Sequence, residues 1–252
     1  MAQDRPLALV TGGTKRLGAA IAAALAGAGY DLALHYRSDA AFEPDLAEAV
    51  ARSGAHAEIF QADFADRDSR ADTVAAVCEA FARPPTLLVN SASLFGTDRL
   101  ETTDVEALTQ HFLVNAAAPA LLSKAFAAHL GGGEGSIVNI LDQRLMQPNA
   151  DNFAYTLSKF ALAGMTETLS RSLAPKIRVN AVAPGLTIPT DAYTPSAMAA
   201  LGEAMPLGRL PTPTDVAEAA VYLARASSVT GQTLFVDGGA RHRYFVTDFD
   251  RL

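Results

Sequence analysis

Seven short apolar, strand-type runs recur along the chain: Leu7 to Thr11, Asp31 to Tyr36, Ala57 to Gln61, Leu87 to Asn90, Ile137 to Leu141, Arg178 to Val182 and Leu234 to Val236. Ala-rich stretches of helical length and period separate them. Runs such as Leu87-Leu88-Val89 and Ile137-Val138-Asn139-Ile140-Leu141 are nearly continuous rather than alternating, as expected of strands covered on both faces. This rhythm predicts an α/β fold, a Rossmann-type doubly wound parallel sheet of about seven strands with helices on both faces. No Pro-, Gly- or Ser-rich linker interrupts it, and no internal repeat is present. Residues 1–252 are therefore expected to form a single domain.

Two segments depart from the rhythm. Gly131 to Gly135 reads as a surface turn entering a strand, because no helix N-terminus follows it to cradle a phosphate. The stretch from Pro184 to Pro213 carries five further prolines after the sixth strand, and its part between Leu186 and Pro211 is a candidate substrate lid.

Composition narrows the class. Half of the 252 residues are hydrophobic and 19% are charged, which excludes intrinsic disorder. A net charge of −7 argues against a general nucleic-acid or anionic-membrane surface. The N-terminal apolar run of four residues is too short for a signal peptide, and the Ala19 to Ala28 stretch is too short for a membrane span. With a single cysteine, Cys78, and no disulfide framework, a cytoplasmic location is expected. The five histidines have no metal-ligand spacing, so no metal site is expected.

The chemistry begins directly after the first strand, where Thr11-Gly12-Gly13-Thr14-Lys15-Arg16-Leu17-Gly18 leads into a helical run. Strand, glycine turn and helix follow in the order a dinucleotide site needs. The turn lets backbone approach a pyrophosphate, and the helix N-terminus supplies free N–H groups and a partial positive charge. An acidic residue at the end of the second strand would hold an unphosphorylated adenosine ribose. That place instead reads His35-Tyr36-Arg37-Ser38. Arg37 and Ser38 suit a 2′-phosphate, and Arg16 adds a second cation, so NADPH is predicted over NADH.

In Tyr155-Thr156-Leu157-Ser158-Lys159 the Tyr and Lys lie four apart, on one face of a helix. An ammonium near a phenol favours the phenolate and makes the tyrosine a usable acid or base.

Taken together, these residues resemble the short-chain dehydrogenase/reductase family over nearly the whole chain. Tyr155 and Lys159 match its Tyr-x-x-x-Lys, Asn115 its helix asparagine, Asn90-Ser91-Ala92-Ser93 its turn after the fourth strand, and Asp237-Gly238-Gly239 its final strand and turn. Pro184-Gly185-Leu186 matches the turn beside the nicotinamide, and Asp63, followed by Phe64, the adenine-contacting acid. The resemblance implies that Tyr155 moves the proton. Lys159 assists it and holds the nicotinamide ribose, and Asn115 supports Lys159 through a water. It also implies a homotetramer, and the aromatic content of the tail from Arg241 to Leu252 suggests docking on a neighbouring subunit. From the residues alone, Asn115 is an ordinary helix residue and Asp63 is equally a loop or cap residue.

The chain departs from the family's pattern at two places. Arg16 replaces the middle glycine of the turn, and Asp142 stands thirteen residues before Tyr155, where most members place a serine that donates to a substrate carbonyl. An ionised carboxylate cannot donate. It suits a substrate that presents N–H groups or a ring nitrogen awaiting a proton. These departures resemble the pteridine reductase branch, which also carries a Ser and a Phe at the positions of Ser93 and Phe95. The branch implies a pterin- or folate-type small-molecule substrate, lying between Phe95 and the nicotinamide and oriented by Arg16, and reduction of a dihydropterin C=N bond. Reduction of a ketone or 3-oxoacyl substrate is the nearest alternative, and a non-catalytic NADPH-binding or sensing protein is an alternative of another class.

Overall fold

The structure, a computed structural model, describes residues 5–189 and 193–243, without the side chains of residues 67–71. Its strands are β1 (Leu7–Val10), β2 (Asp31–Tyr36), β3 (Ala57–Gln61), β4 (Leu87–Asn90), β5 (Gly135–Ile140), β6 (Ile177–Pro184) and β7 (Thr233–Val236). They form one parallel sheet in the order β3-β2-β1-β4-β5-β6-β7. The helices are α1 (Arg16–Gly27), α2 (Pro44–Ser53), α3 (Arg67–Phe81), α4 (Val105–Phe112), α5 (Ala118–Leu130), α6 (Phe153–Ser172), α7 (Pro195–Ala204) and α8 (Pro213–Arg225). A π-helical turn, Leu113–Ala117, joins α4 to α5.

Strand alternation divides the core into two layers. Ala8 and Val10 of β1 face α1 and α8, while Leu7 and Leu9 face α3 and α5. Both sets are fully buried, which is why the strand runs are apolar without interruption. The stretch Val105–Leu130 is long and apolar enough by itself to cross a membrane, yet Ala118, Leu122 and Phe126 bury its inner face against the sheet.

The strand order reverses between β1 and β4, and the crevice at the carboxyl ends of these strands is where such a sheet binds ligands. Two side chains weld it. Thr11 Oγ1 accepts from the Ser91 and Ala92 N–H groups at 2.9 and 3.0 Å, and Asn90 Nδ2 donates to Asn139 Oδ1 at 2.8 Å. Thr11 therefore begins the turn rather than ending β1.

β5 starts two residues earlier than the apolar pattern predicts, at Gly135, which pairs with Ile177, and β6 runs on to Pro184, which pairs with Val236. Gly131 closes α5 in the left-handed conformation, so the glycine segment is a helix stop and a turn. The expected lid contains α7, whose Leu201 packs with Met205 just beyond its end and with Leu186, Tyr193, Leu210 and Ala240 in a small core of their own. At the C-terminal end the described residues stop at Arg243, so the aromatic tail expected to dock on another subunit lies outside them.

Candidate active site

A cleft of about 640 Å³ opens at the switch point. It brings together fifteen of the residues expected from sequence: Gly12, Lys15, Arg16, Leu17, Gly18, Ser91, Ala92, Ser93, Phe95, Asp142, Tyr155, Lys159, Pro184, Gly185 and Leu186.

Its floor is the glycine turn. Gly12 has φ +62°, and a Cβ on Gly18 would lie 2.0 Å from the Gly12 carbonyl oxygen, so α1 can start this close beneath the turn only with glycine there. Gly185 is equally hemmed in, by the Asp237 backbone at 2.8 Å from an added Cβ. Asp237 itself is buried and pins its own turn by accepting from the Gly239 and Arg241 N–H groups. Such close backbone approach beside a helix N-terminus fits a bound pyrophosphate.

Arg16 departs from the glycine pattern at a backbone cost. Its φ is +51°, in the left-handed region, and its N–H donates to Glu43 Oε1 at 2.5 Å. The Ala41 N–H and, after it, Lys15, which pairs with Asp39 at 3.1 Å, hold the Asp39 carboxyl below its usual range. These acids, absent from the sequence reasoning, tie the glycine turn to the loop after β2.

Four expected cofactor contacts lie beneath the cleft instead of lining it. Thr11 and Asn90 are buried in the welds described above. His35 is also buried. Its Nδ1 accepts from the Gly12 N–H at 3.0 Å and its Nε2 donates to the Ala62 carbonyl at 2.9 Å, while its ring stacks on buried Phe64 at 3.9 Å. Burial lowers the His35 pKa to about 4, so the ring is neutral and props the turn from below. Half-buried Tyr36 and exposed Arg37 and Ser38 stand at the outer end of β2, beyond the main cleft. Asp63 is exposed, with Oδ1 accepting from the Ala65 N–H at 2.9 Å, the capping geometry left open by the sequence.

At the other end of the cleft the reactive groups converge. The Tyr155 hydroxyl donates to Asp142 Oδ2 at 2.8 Å. Lys159, one turn along α6, donates from Nζ to the Ile140 carbonyl at 2.8 Å and lies 5.5 Å from the centre of the Tyr155 ring. Burial lowers its pKa to about 8, partly offset by the Asp142 carboxylate. Phe95 is 46% exposed over the cleft and meets Tyr155 edge to face, 4.8 Å between centres.

Asn115 does not reach Lys159 with its side chain. The amide is saturated: Oδ1 accepts from the Leu94 N–H at 2.7 Å and from Ser93 Oγ at 3.2 Å, and Nδ2 donates to the Leu94 carbonyl and Ser158 Oγ, both at 2.9 Å. It positions the loop after β4 against α6. Sequence reasoning passed over Thr97, Gln143 and Arg144, which line the cleft but carry no motif, while Thr187, Ile188 and Tyr193 of the expected lid also line it.

A doubly wound sheet with a glycine turn at its switch point and a Tyr/Lys pair across the cleft defines a nucleotide-dependent oxidoreductase. Residues 13–241 match the family described as enoyl-(acyl carrier protein) reductase. The chain is 36% identical to the FolM alternative dihydrofolate reductase 1 of Brucella canis, solved in complex with NADP; the match covers 95% of both chains with a TM-score of 0.86. It is 34% identical to pteridine reductase 1 of Leishmania tarentolae over 93% of this chain and 96% of that protein. It is 32% identical to a ketoacyl reductase of the granaticin polyketide synthase of Streptomyces violaceoruber, over 95% of this chain and 97% of that one. The chain belongs to the short-chain dehydrogenase/reductase family.

Proposed function

We propose that the protein is an NADPH-dependent reductase that converts a dihydropterin, of the dihydromonapterin or dihydrobiopterin kind or a dihydrofolate, to its tetrahydro form. The observation that carries this reading is the carboxylate of Asp142, 2.8 Å from the Tyr155 hydroxyl, where reduction of a ketone would call for a second donor. A carboxylate offers only acceptors, which suit the N–H groups of an aminopterin edge. The Brucella and Leishmania relatives support the reading through the substrates and the NADP in their names.

When bound, NADPH supplies a hydride to the carbon of the C=N bond. The residues of the chain do the rest. Tyr155 delivers the proton to the adjacent nitrogen, so that C=N becomes CH–NH, and Asp142 holds the hydroxyl and the substrate's N–H edge. Lys159 keeps a positive charge against the tyrosine as its proton leaves. Phe95 offers a flat face to a flat ring, and Arg16 stands near both pyrophosphate and substrate. Arg37 and Ser38, exposed past the end of β2, supply the cation and hydroxyl a 2′-phosphate needs.

An exposed apolar face on α4 and α6, including Val105, Leu108, Phe112, Leu157 and Phe160, supports assembly into a homo-oligomer, of which a tetramer is the form expected. Sedimentation as a monomer would remove that part. A cytoplasmic site of action belongs to the same reading.

The ketoacyl reductase relative favours a second reading, reduction of a 3-oxoacyl or other ketone. The deciding experiment measures NADPH oxidation with dihydromonapterin, dihydrobiopterin and dihydrofolate beside a panel of ketones. Turnover of pterins is expected; an enzyme inert toward all three and fast with ketones refutes the proposal. NADPH binding with no turnover of either class would instead indicate a non-catalytic binder.

A further inference from the structure

A buried arginine is costly unless its charge and donors are met. Arg144 is only 6% exposed, in the short 3₁₀ turn Gln143–Leu145 that follows Asp142. Its backbone N–H donates to Asp142 Oδ1 at 2.8 Å, and its Nε stands 4.0 Å from the same oxygen. That leaves Oδ2 to the Tyr155 hydroxyl. Nη1 donates to Asn152 Oδ1 at 2.6 Å. Asn152, in left-handed backbone at φ +57° just before α6, in turn donates from Nδ2 to the carbonyl of Gly96, the neighbour of Phe95. The guanidinium carbon lies 5.7 Å from the centre of the Phe95 ring and 5.9 Å from that of Tyr155. The residue therefore holds the acid through its backbone N–H, and its side chain lies beside that carboxylate and both rings and reaches, through Asn152, the loop that carries Phe95.

We propose that Arg144 is a positioning residue that locks Asp142 and Phe95 to Tyr155, so that the proton-handling pair and the aromatic wall hold one geometry. The Asp142 and Tyr155 half stands on these contacts alone. The use of Phe95 as a substrate wall rests on the pterin reading.

The test uses Arg144→Gln, Arg144→Lys and Asn152→Gly, the last because glycine accepts the left-handed backbone while removing the amide link. NADPH affinity should stay within about twofold of wild type in all three, since none touches the nucleotide cradle. In Arg144→Gln, kcat should fall on the order of 100-fold, the scale expected for a displacement of about 1 Å at a reacting pair. Arg144→Lys should restore part of it, keeping the cation without the fork. Asn152→Gly should raise KM more than it lowers kcat, because it frees the Phe95 loop and leaves Asp142 held. The kinetics are run on whichever substrate class the wild type turns over, so a ketone-only enzyme fails the pterin reading while the Arg144 test still stands. Wild-type kcat and KM in both Arg144→Lys and Asn152→Gly overturn the proposal. So does a crystal structure of Arg144→Gln with the Asp142–Tyr155 bond and the Phe95 ring unmoved. If Arg144→Gln does not fold, the other two variants decide.

Discussion

The neutral imidazole under the glycine turn makes the nucleotide site acid-sensitive in a way the carboxylates do not. His35 accepts the Gly12 N–H on Nδ1 and donates from Nε2 to Ala62, so a proton on Nδ1 breaks the bond that holds Gly12. Burial lowers its pKa from 6.5 to about 4, against smaller opposing effects of the Ala62 carbonyl and Asp63. Between those two pH values the unfolded chain binds a proton that the folded chain refuses. The contribution to stability is therefore complete above pH 6.5 and is lost as pH falls: about 2 kcal/mol by pH 5 and about 3 kcal/mol by pH 4. Urea unfolding followed by circular dichroism at pH 7, 6, 5 and 4, without nucleotide, measures it. In His35→Gln the titrating group is gone, and titrations shared by the two proteins cancel in the difference. At pH 7 the variant should be less stable by about 1 to 2 kcal/mol, from poorer hydrogen bonds and a lost stack on Phe64. The difference should then close by about pH 5 and reverse by pH 4, where the variant should be the more stable by about 1 to 2 kcal/mol. Parallel loss of stability in the two proteins between pH 6.5 and 4 would refute the assignment.

Other consequences are more direct. Asp142→Ser should lower pterin turnover by roughly 100-fold or more while changing NADPH affinity little, and equal loss of both would count against a substrate role. Because the Asp142 charge raises the Lys159 pKa that burial has pulled to about 8, the same substitution should move the alkaline limb of the kcat/KM profile to lower pH, turnover falling as the ammonium is lost. Arg37→Ala should weaken NADPH binding by roughly 10- to 100-fold, the worth of a charge-assisted bond, and leave NADH binding unchanged in a fluorescence titration. In Gly18→Ala a Cβ would be driven to 2.0 Å from the Gly12 carbonyl, so thermal unfolding should report a loss on the order of 3 kcal/mol together with the nucleotide site.

The layers of the fold were legible because strands buried on both faces leave unbroken apolar runs. Their ends were less so, because the ladder continues over Gly135 and Pro184, which carry no apolar signal. The site divides along the same line. Tyr155 and Lys159 announce themselves by helical spacing, and the glycine turn by its place after β1. His35, Phe64, Thr11 and Asn90 stand beside the right loops in sequence but point beneath them, a direction that neighbourhood along the chain does not reveal. Glu43 and Arg144 act only through contacts made on folding, and nothing local in the sequence marks them.

Arg16 shows how the two kinds of information meet. Its backbone lies in the left-handed region that glycine occupies freely, and a side chain there costs roughly 1 to 2 kcal/mol. Glu43 offsets part of that cost by accepting the Arg16 N–H, and the side chain itself lines the cleft with Phe95, Asp142 and Tyr155. A glycine would relieve the strain and give up the cation. The strained backbone and the side chain's place in the cleft are what the proposed use of the guanidinium between phosphate and substrate accounts for, and a sequence pattern that scores Arg16 merely as a lost glycine does not register either.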